Sequence, residues 1–350
     1  MTFATACKSL LVGLVSFSAL SACSPSGSSS GEGVVNVYTA RHYASDDALY
    51  EAFTEHTGIE VNVIEAPGDL LIERVRADGD RSQADVVITV DAGRLWRADE
   101  AGLFQPAPEL EGVLANVPAN LRQPDGDWFG FSKRVRVIAY AKDRVDPSEI
   151  SSFEDLTDPQ WRGRICVRSS NNVYNQSLLA AMVAQDGAEA AEAWARGIVE
   201  NMARPPQGGD TDQIRAVAAR ECDVAIINHY YLARFMRSEN PGDHEIGEEI
   251  GVIFADLGDG GAHVNVSGAG LAANAPNREN AIEFLEFLLS DDSQRIFAEL
   301  TNEYPVIPSA AYDNDVLDAF GDFSSDDVNV DELGANAGEA QRIFDRVGWP

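Results

Sequence analysis

Two hydrophobic periods alternate along this chain. Short, nearly continuous apolar runs are each followed by a stretch whose apolar positions recur three and four residues apart. "VVNVY" (34–38) precedes "DDALYEAFTEHTG", "IEVNVIEA" (59–66) precedes "DLLIERVRAD", and "ADVVITV" (84–90) precedes "AGRLWRADEAG". The first kind of run predicts strands of a parallel sheet covered on both faces, and the second predicts amphipathic helices. Gly58, Gly79 and Gly102 stand where those helices should stop. Strands and helices in alternation predict a doubly wound α/β fold.

The pattern restarts after "WFGFSKRVRVIAYAKD" (128–143). A second series runs through "GRICVRS" (163–169), one long helical stretch "NQSLLAAMVAQDGAEAAEAWARGIVE", then "DTDQIRAVAAREC" and "DVAIIN". Asp210 and Gln213 have the spacing of a capping box. Two amphipathic helices, "NRENAIEFLEFLLS" and "DSQRIFAELT", follow "HVNVSGAGLAANAP". Two α/β lobes that close on a ligand are expected, with "RVRVIAYAK" and "VNVSGAGLAAN" as the strands passing between them. The boundaries read as 34–133 plus about 266–312 for the first lobe and 134–265 for the second. A helical segment, 313–350, packs on both.

At 350 residues and 45% hydrophobic content this is an ordinary globular chain. Its 57 Asp+Glu against 26 Lys+Arg leave a net charge of −31, which excludes nucleic acid and anionic membrane surfaces as natural partners. Before the first strand, Lys8 leads into the apolar run Leu10 to Leu20, too short to span a bilayer and suited to a signal-peptide core. It ends in Leu20-Ser21-Ala22-Cys23, which resembles a bacterial lipobox. Residues 1–22 are therefore expected to be a signal peptide, Cys23 a lipidation site and 23–33 a flexible tether. An incidental Cys23 in a secreted protein is the alternative. In an exported, oxidising compartment, Cys166 and Cys222 are expected to form a disulfide, the alternative being two buried free thiols. No nucleophile elbow, Gly-x-Gly-x-x-Gly, P-loop or HExxH motif is present, and no enzyme activity is expected.

Candidate chemistry lies at the strand ends, where open α/β sheets bind ligands. Arg41-His42-Tyr43 follow the first strand, Ser169 to Tyr174 follow "GRICVR", and His229-Tyr230-Tyr231 follow "DVAIIN". Four of the nine tyrosines thus fall at or just after strand C-termini. Singly, each reads as an amphipathic aromatic capping a core. Together they form a set of hard oxygen donors, which suit Fe³⁺ once a cation stabilises the phenolate form. Four phenolates on Fe³⁺ would carry one net negative charge, and Arg234 is placed to balance it. It lies one helical turn after Tyr230 and Tyr231, if a helix begins there. That geometry needs the strand to end near Asn228. His42 is a less certain ligand, and His229 is expected to point away. Ser169 joins Arg234 as a candidate anion contact. A small anionic or organic solute, held by Arg234, Ser169 and Ser170, is the competing reading.

At these residues the chain is similar to the ferric-iron-binding periplasmic components of ABC importers, of the tyrosine-rich class. The matching stretches are "YTARHY", "DVVITVDAGRLWRA", "WFGFSKRVRVIAYAKD", "RGRICVRSSNNVYNQSL", "PQGGDTDQIRAVAARECDVAIINHYYLARF", "HVNVSGAGLAANAPN" and "NEYPV". The resemblance implies a class II two-lobed binding-protein fold, one Fe³⁺ in the interlobe cleft, and delivery to an inner-membrane ABC permease and its ATPase. It places Tyr43, Tyr174, Tyr230 and Tyr231 as phenolate ligands, His42 as a ligand found in some members, and Arg234 as an arginine behind the ligands. The early glutamate of the histidine–glutamate–two-tyrosine subtype is not evident. Glu65 and Asp91 are the nearest candidates, so the four-tyrosine set is preferred. The protein is expected to be a periplasmic monomer, touching the membrane only through a lipid at Cys23.

Overall fold

β1 (Gly33–Thr39), α1 (Asp46–Thr57), β2 (Ile59–Glu65), α2 (Gly68–Asp78), β3 (Val86–Thr89) and α3 (Ala92–Glu100) form the first βα series. The one-turn α4 (Glu111–Leu114) leads to the long β4 (Trp128–Ala141). β5 (Ile165–Cys166), α5 (Val173–Asp186), α6 (Ala188–Asn201), α7 (Asp210–Ala218), β6 (Val224–Asn228), α8 (His229–Met236), α9 (Pro241–Glu249) and β7 (Ile250–Ile253) make the second series. β8 (Val264–Leu271), α10 (Arg278–Leu288), α11 (Asp291–Ile296), β9 (Tyr304–Pro305), α12 (Asp315–Phe320), α13 (Asp331–Ala335) and α14 (Ala337–Val347) complete the chain. This computed structural model describes residues 33–350 apart from Ala44 and Asp259. The signal peptide, Cys23 and the tether to residue 32 lie outside the described residues. Gly33, assigned to the tether, is instead the first residue of β1.

The strands run in the order β2-β1-β3-β8-β4-β6-β5, with β7 and β9 also on β4. β1 is parallel to β2 and β3, and β5 to β6, while β4 runs antiparallel to its neighbours. β4 joins the two series. Its residues from Trp128 to Val135 pair with β8, and those from Arg136 to Tyr140 pair with β6. β8 lies alongside β4, pairing with it and with β3, and starts at the junction, where Val264 stands opposite Val135 and the His263 carbonyl accepts from the Arg136 N–H at 3.0 Å.

Other local expectations change for identifiable reasons. β2 is an edge strand with mixed exposure, since among the described residues nothing pairs beyond it, whereas β1 and β3 are largely buried. The long helix predicted after residue 174 is two helices, because Gly187 takes φ 85° and ψ 164°, which no helix accommodates. The capping box at the next helix does not use Asp210 and Gln213. Asp212 Oδ2 accepts from the backbone N–H of Gly209 at 2.6 Å, and Gln213 Nε2 donates to the carbonyls of Gln207 and Gly209. Asp210 is thereby free for another partner. Cys166 and Cys222 form the expected disulfide, which ties β5 to the loop before β6. α13 lies on α3 and α5, and α14 on α5 and α6, so the C-terminal helices touch both series. Among the described residues no helix is long and apolar enough to cross a membrane.

Candidate metal centre

The four strand-end tyrosines come together. β6 is five residues of buried "VAIIN", and α8 begins at His229 with no intervening loop. Tyr230 and Tyr231 are therefore the second and third residues of a helix, and the strand ends at Asn228 as expected. Their rings lie 4.4 Å apart, inclined by 31°. Tyr174 is the second residue of α5, where Asn172 caps the helix by accepting from the Tyr174 N–H at 3.2 Å. The Tyr230 hydroxyl donates to the Tyr174 hydroxyl across 3.4 Å. Tyr43 stands in the loop after β1, its N–H 3.3 Å from Asp46 Oδ2, and its ring meets Tyr230 edge-on at 6.5 Å.

Arg234 closes this group from the next turn of α8. Its guanidinium carbon is 5.1 Å from the Tyr43 ring, 5.0 Å from Tyr230 and 5.4 Å from Tyr231. Such distances are those of a cation over aromatic faces. Tyr174 is surrounded in the same way by Arg134 at 5.2 Å, Arg168 at 5.6 Å and Arg136 at 6.0 Å. Arg41 lies 4.8 Å from Tyr43. Only some of this positive charge is neutralised. Arg41 pairs with Asp46 and Glu303, both at 2.9 Å, while Asp210 takes Arg136 at 2.8 Å and Arg168 at 3.4 Å. Five guanidiniums thus face three carboxylates. An uncompensated positive field favours the phenolate form of nearby tyrosines.

Burial works against that field. It pushes the Tyr230 phenol well above its ordinary value, and the neighbouring phenols of Tyr174, Tyr43 and Tyr231 add to the rise while Arg134 opposes it. Tyr43 is raised by burial and then by Tyr174 and Glu303, with Arg41 and Arg134 pulling it down. Tyr231 is raised by burial, then by Tyr174 and Asp210. These three phenols therefore keep their protons at neutral pH.

The remaining sequence candidates divide. His42 is exposed and shares the wall of a cleft of about 600 Å³ with Glu65, Arg94, Arg168, Tyr174 and Tyr231. His229 does point away. It is buried, its Nδ1 accepts from the Val135 N–H at 3.1 Å, and its Nε2 donates to the Asn302 carbonyl at 2.8 Å. Burial lowers it to about 4, so the ring is neutral. Ser169 Oγ accepts from the Asn171 N–H at 3.3 Å in a local turn, and the residue does not line the cleft. Asp91 is engaged by Ser177 Oγ and Asn265 Nδ2, both at 2.8 Å, and caps α3. Among the described residues no group of three or more His, Cys, Asp or Glu could hold a metal ion.

The buried charges Arg134, Arg136 and Glu303 and the half-buried Arg168 escaped the sequence reading, Asp210 was read only as a helix cap, and Arg41 was noted only for its place. A signal existed for two of them. In "KRVRV" the arginines sit two apart within an otherwise apolar strand, so they share one buried face.

The model of the bacterial extracellular solute-binding proteins matches residues 82–320. The chain is 49% identical over 315 residues to the iron uptake protein A1 of Synechocystis sp. (strain ATCC 27184 / PCC 6803 / Kazusa), covering 90% of this chain and 87% of that protein. It is 30% identical over 280 residues to the major ferric iron-binding protein of Neisseria meningitidis serogroup B, covering 78% and 81%. The structure of the Trichodesmium protein IdiA (FutA), in complex with iron and citrate ligands, superposes with a TM-score of 0.87 at 51% identity, covering 91% of this chain and all of that one.

Proposed function

The chain belongs to the bacterial extracellular solute-binding proteins, and we propose that Tyr43, Tyr174, Tyr230 and Tyr231 are the groups with which it carries its cargo. It binds Fe³⁺ for import, as the iron uptake and ferric-binding relatives do. The observation that carries the ligand assignment is the convergence of four phenols under an excess of guanidinium charge.

The chemistry follows from the two opposing fields. In the metal-free protein, burial keeps Tyr43, Tyr230 and Tyr231 protonated. Fe³⁺ displaces those protons, and the four phenolates then carry one more negative charge than the ion supplies positive. Arg234 and Arg134 lie where they stabilise that charge. Because protons leave as iron enters, affinity rises with pH and falls in acid. His42 is a further donor at the mouth of the cleft, and Ser169 acts on the turn rather than on the ion.

The partner is a membrane permease, and the ATPase that drives it completes the importer. The protein works as an extracellular or periplasmic monomer held by a lipid at Cys23. β4 is the hinge, with the first lobe at 34–133 plus about 266–312 and the second at 134–265. Tyr43 then belongs to the first lobe and the other three tyrosines to the second, so iron bridges them. Iron-loaded protein is expected to scatter X-rays as a more compact particle than iron-free protein; equal radii would remove the bridging step.

Purified protein mixed with ferric citrate tests the reading simply. Phenolate-to-iron charge transfer should colour the solution. A protein that stays colourless under iron saturation would instead favour a small anionic or organic solute.

A further inference from the structure

The back face of β4 carries a second pocket. Ser132 and Arg134 turn towards Glu303. Lys133, between them, turns the other way. It pairs across the strand with Tyr304 of β9, so the two side chains stand together on that face. With Tyr312, Phe323, Asp318 and Asp322 they line a pocket of about 350 Å³, which shares no residue with the tyrosine cleft.

Both ends of this pocket lack partners. Lys133 is half-buried, and among the described residues its ammonium meets no carboxylate. Its Nζ lies 5.6 Å from the Phe323 ring, and burial alone pushes its amine down. The Tyr304 hydroxyl is buried and, among the described residues, has no hydrogen-bond partner. Buried polar groups in folded proteins almost always have one. At the pocket's exposed rim Asp318 and Asp322 are carboxylates near Tyr304 and Tyr312, and after burial and Tyr312 their charge helps to raise the Tyr304 phenol. Lysine and phenol together suit a carboxylate ligand. Carboxylates beside aromatic faces suit an ammonium.

We propose that this pocket binds a small zwitterion, its carboxylate on Lys133 Nζ and the Tyr304 hydroxyl and its ammonium between Asp318, Asp322 and the aromatic rings. A simple anion would meet two carboxylates at the rim, and a simple cation would meet Lys133 at the floor. A molecule carrying both charges satisfies both ends. The volume lies in the range of small-molecule sites.

Calorimetric titration of the full chain tests this, with glycine betaine, L-alanine and L-proline as probes and acetate and tetramethylammonium as half-probes. At least one zwitterion should bind, and each half-probe should bind more weakly. Lys133→Met and the double variant Asp318→Asn/Asp322→Asn should each weaken that zwitterion by about tenfold or more. A circular-dichroism melt of wild-type shape shows that each variant is folded. Absence of binding by all three zwitterions, wild-type affinity in folded Lys133→Met, or acetate binding as tightly as the best zwitterion would each overturn the proposal.

Discussion

Replacing Tyr230 and Tyr231 together by phenylalanine is expected to abolish the ferric colour and to weaken Fe³⁺ binding by about a hundredfold or more, or about 2.8 kcal/mol. The substitution removes two oxygen donors and little else. Phenylalanine fills nearly the same space, and the Tyr230 hydroxyl makes only long contacts, at 3.4 Å to Tyr174 and 3.5 Å from Asn228 Nδ2. Removing a buried hydroxyl with such weak partners should leave folding stability nearly unchanged. Two ligands on adjacent positions of α8 are lost at once, while Tyr43, Tyr174 and Arg234 remain. Competition against citrate, followed by visible absorption, measures the loss. A double variant that keeps wild-type affinity would show that the adjacent phenols are packing groups.

Glu303→Ala is expected to cost about 3–5 kcal/mol of stability, the usual result of stripping a buried ion pair of one partner. Glu303 is 1% exposed and accepts from Arg41 at 2.9 Å, from Ser132 and Thr301 at 3.2 Å, and from Ser267 at 3.4 Å. Arg134 approaches it within 3.8 Å. Alanine leaves two guanidiniums buried with less compensation, Arg41 retaining Asp46 alone among the described carboxylates. The pH dependence has a definite sign. Burial opposes the Glu303 charge, but Arg41 and Arg134 outweigh it and hold the carboxyl below its ordinary value of 4.5. Its contribution is thus complete above that value and disappears as pH falls through the lower folded-state value. Urea titrations should show a wide gap between wild type and variant at neutral pH and a narrow one in strong acid. A gap under about 1 kcal/mol at neutral pH, the scale of a surface pair, would mean that these charges are solvated.

These two results concern residues that differ in how far the sequence announced them. The tyrosines were visible because strand ends are visible. An apolar run such as "VAIIN" fixes where β6 stops, and the doubly wound pattern says which end of the strand faces a ligand. The turn of α8 that carries Arg234 then follows from helical spacing alone. Glu303 was hidden because "NEYPV" has no period, and its burial depends on Arg41, a residue 262 positions away in the chain. Helix limits failed where one backbone angle decided them, as at Gly187. The capping reading at Asp210 failed because tertiary structure had a stronger use for that carboxylate. It accepts from Arg136 and from the Asn228 N–H, both at 2.8 Å, and so helps fix the end of the strand that presents Tyr230. Local grammar cannot foresee a partner brought in by the fold.

The most direct test is an anomalous-difference map, collected at the iron edge from crystals grown with ferric citrate. The account predicts one strong peak in the cleft, within coordination distance of the hydroxyl oxygens of Tyr43, Tyr174, Tyr230 and Tyr231, with Arg234 behind them. A peak bound elsewhere, or one in the cleft that leaves Tyr230 and Tyr231 out of its coordination shell, would contradict it.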